Sequence, residues 1–146
     1  MTTNLQAVAV AVAVGLGCDR GTPLATVAHA LDTALLQAGL VRAQITVLAS
    51  IEAKRDELAF MELAEQGGWP LQFFTAAELA VVPVPNPSAT VLRYMGTPSV
   101  SEAAAILAAQ GVAAEPKHAN LLLEKFRYKG ADGRNATVSI AGVVFV

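Results

Sequence analysis

The most informative part of the sequence is the glycine segment, Gly15-Leu16-Gly17-Cys18-Asp19-Arg20-Gly21. It follows the apolar run Ala7–Leu16 and precedes Thr22-Pro23, the order expected where a buried strand turns into a helix. Glycines permit a tight turn and a close approach to a ligand, and the amide N–H groups at a helix N-terminus favour an anion. We interpret this segment as the floor of a binding site. Its predicted ligand-binding residues are Gly15, Gly17, Cys18, Arg20 and Gly21.

Composition and charge narrow the class of protein. The chain has 146 residues, 54% hydrophobic and 15% charged, with a formal net charge of −2. This length favours a single domain over residues 1–146, and the charge does not favour nucleic acid, whose binders carry a basic face. Because Cys18 is the only cysteine, no intramolecular disulfide is possible, which is typical of a cytoplasmic protein.

The apolar run near the N-terminus could be read as a targeting signal instead of a buried strand. Ala7–Leu16 is shorter than the roughly 20 residues that span a bilayer. No Lys or Arg precedes Arg20, so the basic region of a secretory signal is missing. We therefore predict a buried strand and no membrane partner, rather than a secretory or lipoprotein signal.

Strand-like and helix-like segments then alternate, the pattern of a parallel sheet. The predicted strands are Leu5–Val14, Ile45–Ala49, Leu71–Phe74, Leu121–Tyr128 and Thr137–Val146. The predicted helices run from Pro23 to Gly39, over Arg55–Gln66, Thr75–Ala80 and Ser88–Tyr94, and from Ser101 to Gln110. Thr22 is the predicted cap of the first helix, and Gly111 is predicted to stop the last. The second helix has Leu58, Met61 and Leu63 on its apolar side. Three prolines in Val81–Pro87 predict an extended connection, and Lys129–Asn135 predicts a hairpin loop. We expect a three-layer α/β/α fold with a mixed, mostly parallel sheet and a C-terminal antiparallel hairpin.

A charged segment, Ser50–Glu57, follows the second predicted strand. Open parallel sheets bind ligands at the carboxyl ends of their strands, so Lys54 is a candidate contact for a ligand carboxylate, with Glu57 holding it. The alternative is an ordinary solvated helix start, in which Asp56 and Glu57 complement the helix dipole. The spacing favours this alternative.

A second polar segment, Gly96–Ala105, precedes an alanine-rich helix. Its hydroxyls and free N–H groups make it a second potential cradle for a carboxylate. By itself, a well-capped structural helix explains the same residues better. The candidate ligand-binding residues here are Thr97, Ser99, Ser101 and Glu102.

Basic residues cluster late in the chain, at Lys117, His118, Lys125, Arg127, Lys129 and Arg134. Alternation places Lys125, Arg127 and Lys129 on one face of a strand. Such a strip suits a polyanionic small ligand or an acidic partner, or it merely keeps an exposed strand soluble. No His, Cys and carboxylate spacing predicts a metal site, and we expect no cofactor.

Few residues are candidates for catalysis. A helix N-terminus and Arg20 would lower the pKa of the Cys18 thiol, but no histidine lies nearby, which disfavours a covalent role. The candidate nucleophiles and acid–base groups are Cys18, Asp19, Glu52 and Glu57.

Taken together, these segments resemble the C-terminal domain family of the cobalamin-biosynthesis proteins CobE and CbiG. The matching residues are Gly15, Gly17, Cys18, Arg20, Gly21, Lys54, Glu57, Ser88, Gly96–Val100, Glu102–Ala104, Lys117 and Thr137–Ala141. The resemblance spans nearly the whole chain and implies a role in corrin ring synthesis. CbiG-type proteins carry this domain after others and open a ring lactone, whereas a chain of this length is similar to the stand-alone type of the aerobic pathway. Ser50 stands where threonine is expected, and Asn120–Lys129 is longer than in many relatives.

The resemblance leaves three hypotheses open. The first is an accessory or carrier protein that binds a precorrin or corrinoid intermediate, with Lys117 added to the ligand contacts above. The second is a hydrolase or isomerase that acts on a precorrin side chain or lactone. The third is a partner that docks on another enzyme of the pathway.

Overall fold

Five strands and five helices form residues 10–112 and 120–143, the part of the chain described by this computed structural model. Strands and helices alternate up to the third strand, which three helices and then two strands follow. The strands are β1 (Val12–Cys18), β2 (Ile45–Ile51), β3 (Leu71–Phe74), β4 (Asn120–Lys129) and β5 (Asn135–Gly142). The helices are α1 (Leu24–Ala38), α2 (Leu58–Gly67), α3 (Ala76–Ala80), α4 (Ala89–Met95) and α5 (Val100–Val112). Short 3₁₀ turns occur at Arg42–Gln44 and Glu52–Lys54.

The strands form one mixed sheet in the order β3-β2-β1-β5-β4. Strands β1, β2 and β3 are parallel, and β5 runs antiparallel between β1 and β4. Four of the five strands therefore point the same way, which confirms the predicted mostly parallel sheet with a C-terminal antiparallel hairpin.

Strand β1 divides the core, because successive side chains point to opposite faces. Val12, Val14 and Leu16 join the cluster formed with α1 and α2, whereas Ala13 joins the cluster formed with α5. Gly15 also faces α5: a Cβ added there would lie 1.9 Å from the Ser101 carbonyl oxygen. The two clusters on opposite faces of the sheet give the predicted three layers.

The first helix begins and ends close to its predicted bounds. It ends at Gly39, whose φ of 72° is the left-handed conformation that favours glycine. Its start differs: α1 begins at Leu24, Pro23 takes the N-cap position, and Thr22 makes no cap bond. The Thr22 hydroxyl instead donates to the Asp19 carbonyl at 2.6 Å.

Several other predicted bounds were wrong. Strand β1 continues to Cys18, and Ser50 lies inside β2 rather than in a loop. Helix α2 begins at Leu58. Of the three residues predicted on its apolar side, Leu63 is buried, whereas Leu58 and Met61 are exposed.

At the other end of the chain, Gly111 lies within α5 instead of stopping it. The predicted strand residues 5–9 and 144–146 fall outside the described part. In residues 10–112 and 120–143, no helix is long and apolar enough to cross a membrane.

Candidate functional site

A cleft of about 540 Å³ opens where β1 and β2 end. Residues of β4, β5, α4 and the start of α5 also line the cleft. The lining residues are Gly17, Cys18, Asp19, Arg20, Ile51, Lys54, Asn86, Pro87, Ser88, Thr90, Val91, Tyr94, Met95, Val100, Ser101, Lys125, Arg127, Asn135 and Thr137. Apolar side chains, hydroxyls and cations thus share one cavity.

The backbone of the glycine segment does not form the predicted anion cradle. Gly15 and Gly17 are paired with Ser139 and Thr137 of β5, so they belong to the sheet and not to a turn. Beyond the strand, the Gly21 N–H donates to the Glu57 carboxylate. The Asp19 and Thr22 amides likewise bond to carbonyls within the protein. The interpretation of this segment as a set of open amides was wrong for Asp19, Gly21 and Thr22, because their N–H groups already have partners within the protein.

Arg20 ties the two loops at the end of β1 and β2 together. Its guanidinium contacts the Asp56 carboxylate at 2.6 Å and the Glu57 carboxylate at 2.8 Å, and donates to the Ala53 carbonyl. Glu57 is buried, so this contact anchors Arg20. The hydrogen bond that Arg20 donates to Asp56 lowers the pKa of the Asp56 carboxyl. Arg20 lines the cleft but is already engaged by two carboxylates.

Cys18 does not have the activated thiol that its position suggested. Burial raises the pKa of the Cys18 thiol to about 11, and the negative charge of Glu57 adds to the effect. Arg20, which was expected to lower this pKa, is occupied by Asp56 and Glu57. The thiol is therefore protonated at neutral pH.

Asp19 is also engaged within the protein. Its Oδ2 accepts hydrogen bonds from the Asn135 N–H at 2.7 Å and the Asn135 side-chain amide at 3.1 Å. The carboxylate thus joins the end of β1 to the start of β5.

Glu102 forms a buried polar network beside the cleft. Its carboxylate accepts hydrogen bonds from the Asn86 N–H, the Asn86 side chain, the Ser99 hydroxyl and the Lys125 N–H. Since the side chain is fully buried, these four donors satisfy a charge that is otherwise costly to bury. Glu102 therefore joins α5, the proline-rich connection and β4.

The structure brings some of the predicted site residues together and separates others. Those that share the cleft are Gly17, Cys18, Asp19, Arg20, Lys54 and Ser101. Those that do not line it are Gly15, Gly21, Glu52, Glu57, Thr97, Ser99 and Glu102. Lys117 lies outside the described residues.

Two of the residues away from the cleft have particular surroundings. Gly15 lies beneath the first turn of α5. The Thr97 hydroxyl is buried, and no hydrogen-bond partner is found for it in the described part of the chain.

Sequence reasoning missed one wall of the cleft and the contribution of β5. The missed polar lining residues are Asn86, Ser88, Thr90, Tyr94, Asn135 and Thr137. Asn135 and Thr137 reach the cleft because β5 pairs with β1. No local sequence pattern specifies which strand lies beside β5. The capping serine, Ser88, was the available signal for α4.

No group of three or more His, Cys, Asp or Glu side chains able to hold a metal ion occurs within the described ranges. The polar groups of the cleft are instead hydroxyls, amides, amines and guanidinium groups, with the Asp19 carboxylate bound to Asn135. Such groups suit a ligand that carries acids.

A family-wide comparison identifies the chain's relatives. The family described as "Cobalamin synthesis G C-terminus" matches residues 12–141. The chain belongs to this family. The predicted resemblance to the CobE and CbiG C-terminal domains is thereby confirmed.

Two curated members of the cobalamin pathway match about two thirds of the chain. "Protein CobE" of Sinorhizobium sp is 35% identical over 97 residues, which are 65% of this chain and 63% of that protein. "Cobalt-precorrin-5A hydrolase" of Priestia megaterium is 35% identical over 95 residues, 65% of this chain but 25% of that protein. The match thus spans a quarter of the hydrolase and less than two thirds of that CobE.

Solved structures of family members share the fold. The crystal structure of CobE, a protein from the cobalamin (vitamin B12) biosynthetic pathway, superposes with a TM-score of 0.80 at 31% identity, covering 93% of this chain and 92% of that one. The cobalamin biosynthesis protein chiG of Agrobacterium tumefaciens gives a TM-score of 0.59 at 28% identity, covering 89% and 96%. A cobalamin biosynthesis protein G homologue of Sulfolobus solfataricus, at 18% identity and a TM-score of 0.66 over 92% of this chain and 37% of that one, shows the fold alone.

Proposed function

We propose that this chain binds a precorrin or corrinoid intermediate of cobalamin synthesis in the cleft, as an accessory or carrier protein. Membership of the cobalamin family supplies the ligand class, and the cleft supplies the chemistry. These intermediates carry acetate and propionate groups around an apolar macrocycle. Their receptor needs an apolar surface surrounded by cations and hydrogen-bond donors.

The observation that carries the proposal is a set of three cations beside apolar side chains. Lys54, Lys125 and Arg127 line the cleft, and none of them forms an ion pair with a carboxylate of residues 10–112 or 120–143. Apolar lining comes from Ile51 and Val91 among others. Among the described residues, Lys125 Nζ donates only to the Asn86 carbonyl, at 3.5 Å. Cations that no carboxylate of the described residues neutralises, next to apolar surface, match the two parts of a corrinoid.

The size of the cleft indicates how the ligand is held. Its volume of about 540 Å³ falls within the range of small-molecule sites. A corrin ring with all its side chains is larger, so we propose that one edge of the macrocycle enters and the rest stays in solvent. The acid groups on that edge then meet the cations.

Binding is tested with cobyrinic acid, a coloured corrinoid with free carboxylates, and with its heptamethyl ester, in which the acids are masked. We expect cobyrinic acid to co-elute with the protein on a sizing column and to change its visible spectrum on titration. The ester is expected to bind at least tenfold more weakly. Elution of all the pigment at the free position would contradict the proposal.

Similarity to the cobalt-precorrin-5A hydrolase favours a second candidate, a hydrolase or isomerase of a precorrin side chain or lactone. The candidate groups give it less support: the Cys18 thiol has a raised pKa, Asp19 is bound by Asn135, and Glu57 holds Arg20 and Gly21. Glu52 is exposed and does not line the cleft. Turnover of a precorrin lactone by the protein alone, lost in Cys18→Ala, would favour this candidate over a carrier.

A carrier also needs a recipient. We propose that another cobalamin-pathway enzyme takes the ligand from this chain. The hypothesis of a docking partner likewise requires contact with such an enzyme. Co-elution with a pathway enzyme in the absence of corrinoid would favour docking over ligand transfer.

A further inference from the structure

Strand β4 pairs irregularly with β5. The register advances by one residue between Leu121 and Leu123, and again between Leu123 and Phe126. The second irregularity leaves Glu124 and Lys125 together opposite Ser139, a β-bulge with one extra residue on β4. The bulge lies directly beside the cleft.

The first irregularity moves the strand from Leu121, which packs on the α5 side, to Leu123 on the α1 side, and the bulge sets the faces of the residues after Leu123. Leu123, Phe126 and Tyr128 pack against the α1 cluster, whereas Lys125 and Arg127 line the cleft. In a regular strand, side chains two apart share a face, so Lys125 and Arg127 would share the α1 side with Leu123. The extra residue reverses the alternation, which sends both cations into the cleft and both aromatic rings into the core.

Glu102 and Asn86 hold the bulge in place. The Lys125 N–H donates to Glu102 Oε2 at 3.1 Å. Asn86 Nδ2 donates to the same Oε2 at 2.6 Å and to Glu124 Oε1 at 3.0 Å, so it connects the network to the other bulge residue. Because Glu102 is fully buried in the first turn of α5, it is a fixed anchor for this part of β4.

We propose that, of the three cleft cations without an ion pair in the described residues, Lys125 and Arg127 determine specificity as a pair on one strand, and that Glu102 and Asn86 are positioning residues that act through the bulge. This inference rests on the proposed function. Arg20 is excluded from the same role because Asp56 and Glu57 already hold its guanidinium. The ligand class is a small molecule with at least two carboxylates spaced to reach neighbouring positions on one strand.

The charge test uses single substitutions in β4. Lys125→Gln and Arg127→Gln are each expected to weaken binding of cobyrinic acid about tenfold, since each removes one charge-assisted contact. Lys129→Gln is the matched control: it removes the same charge two residues further along the strand, at a position that does not line the cleft. Its affinity should stay within twofold of the parent.

The positioning test measures whether Glu102 acts through the cations. Glu102→Gln is expected to weaken binding by about tenfold in the parent chain, yet to have no further effect in the Lys125→Gln/Arg127→Gln background. A merely structural role would weaken binding equally in both backgrounds. If Glu102→Gln does not fold by circular dichroism, Asn86→Ala replaces it, since that variant removes the link from Glu102 to Glu124.

The outcomes separate the two proposals. If the parent chain binds no cobyrinic acid, the proposed function fails. If the parent binds it but Lys125→Gln and Arg127→Gln bind as tightly as Lys129→Gln, the function stands and the inference is overturned. Weakening by both cleft substitutions, with coupling to Glu102, supports it.

Discussion

The side of the sheet covered by α1 and α2 is packed with large side chains, whereas the side covered by α5 is packed with small ones. On the first side, Leu31, Phe60 and Leu63 are fully buried against the valines of β1. On the second, the buried helix residues are mainly alanines, such as Ala104 and Ala108. One face is held by side-chain volume and the other by close backbone approach.

The difference shows how the cleft is made. Because β1 presents only Ala13, Gly15 and Gly17 to the α5 side, the first turn of α5 comes against the strand backbone. This brings Ser101 to the cleft and Glu102 to the bulge of β4. The large-residue face should therefore fail when volume is lost, and the small-residue face when volume is gained.

The largest expected effect comes from adding one methyl group to the small-residue face. In Gly15→Ala, the new Cβ would lie 1.9 Å from the Ser101 carbonyl oxygen and 2.8 Å from the Ala105 nitrogen, both backbone atoms of α5. We expect the free energy of unfolding to fall by more than about 4 kcal/mol, measured by urea denaturation. Gly111→Ala, in α5 itself, is the control: a Cβ there meets no atom of the described residues within 4 Å, and the substitution should stabilise the protein by up to about 1 kcal/mol. Equal stabilities for the two variants would contradict the close approach.

Removing volume from the large-residue face tests the other half of the comparison. Phe60 is fully buried in the α1–α2 cluster, and Phe60→Ala is expected to cost about 3–4 kcal/mol through lost burial and a cavity. Met61→Ala, at an exposed neighbouring position of α2, should change stability by less than about 1 kcal/mol. A small cost for Phe60→Ala would show that this face tolerates lost volume and would break the contrast.

The smallest effect concerns Cys18, which packs against the large-residue cluster and also lines the cleft. With the thiol pKa raised from 9.0 to about 11, the thiolate fraction at pH 8 falls about a hundredfold. Alkylation by iodoacetamide at pH 8 should therefore be about a hundredfold slower in the folded protein than in urea. Because the pKa is raised on folding, the thiol contributes stability below about pH 9, which is lost as the pH rises toward 11. Alkylation equally fast in both states would contradict the desolvation of Cys18.

Local pattern predicted the elements well where one helix or strand contained its own signals. Gly39 and the capping box at Thr75 mark helix ends, and both helices lie close to their predicted positions. Where the pattern was ambiguous, prediction failed: the glycines in Gly15–Gly21 indicated a turn, although Gly15 and Gly17 lie inside a strand, where Gly15 allows α5 to pack closely and Gly17 faces Thr137. The apolar side of α2 was also misassigned, since Phe60 rather than Leu58 faces the core.

The candidate site was predictable only in part, for the same reason. Cys18 ends β1 and Lys54 follows the neighbouring parallel strand β2, so the rule for open sheets places them at one edge. Ser99 and Glu102 were assigned to the ligand, yet both are buried and their hydrogen bonds stay within the protein. Whether a polar side chain near a helix start faces the ligand or a neighbouring element depends on packing that a single segment does not encode.

The sequence by itself determined the alternation of strands and helices, the parallel first half and the final hairpin, because those features follow from hydrophobic periodicity and turn residues near one another in the chain. Only the tertiary structure decided that β5 lies beside β1, so that Asp19 meets Asn135, and that a bulge turns Lys125 and Arg127 into the cleft. These contacts join residues far apart in sequence. Their geometry is set by which surfaces pack together, and no local pattern specifies it.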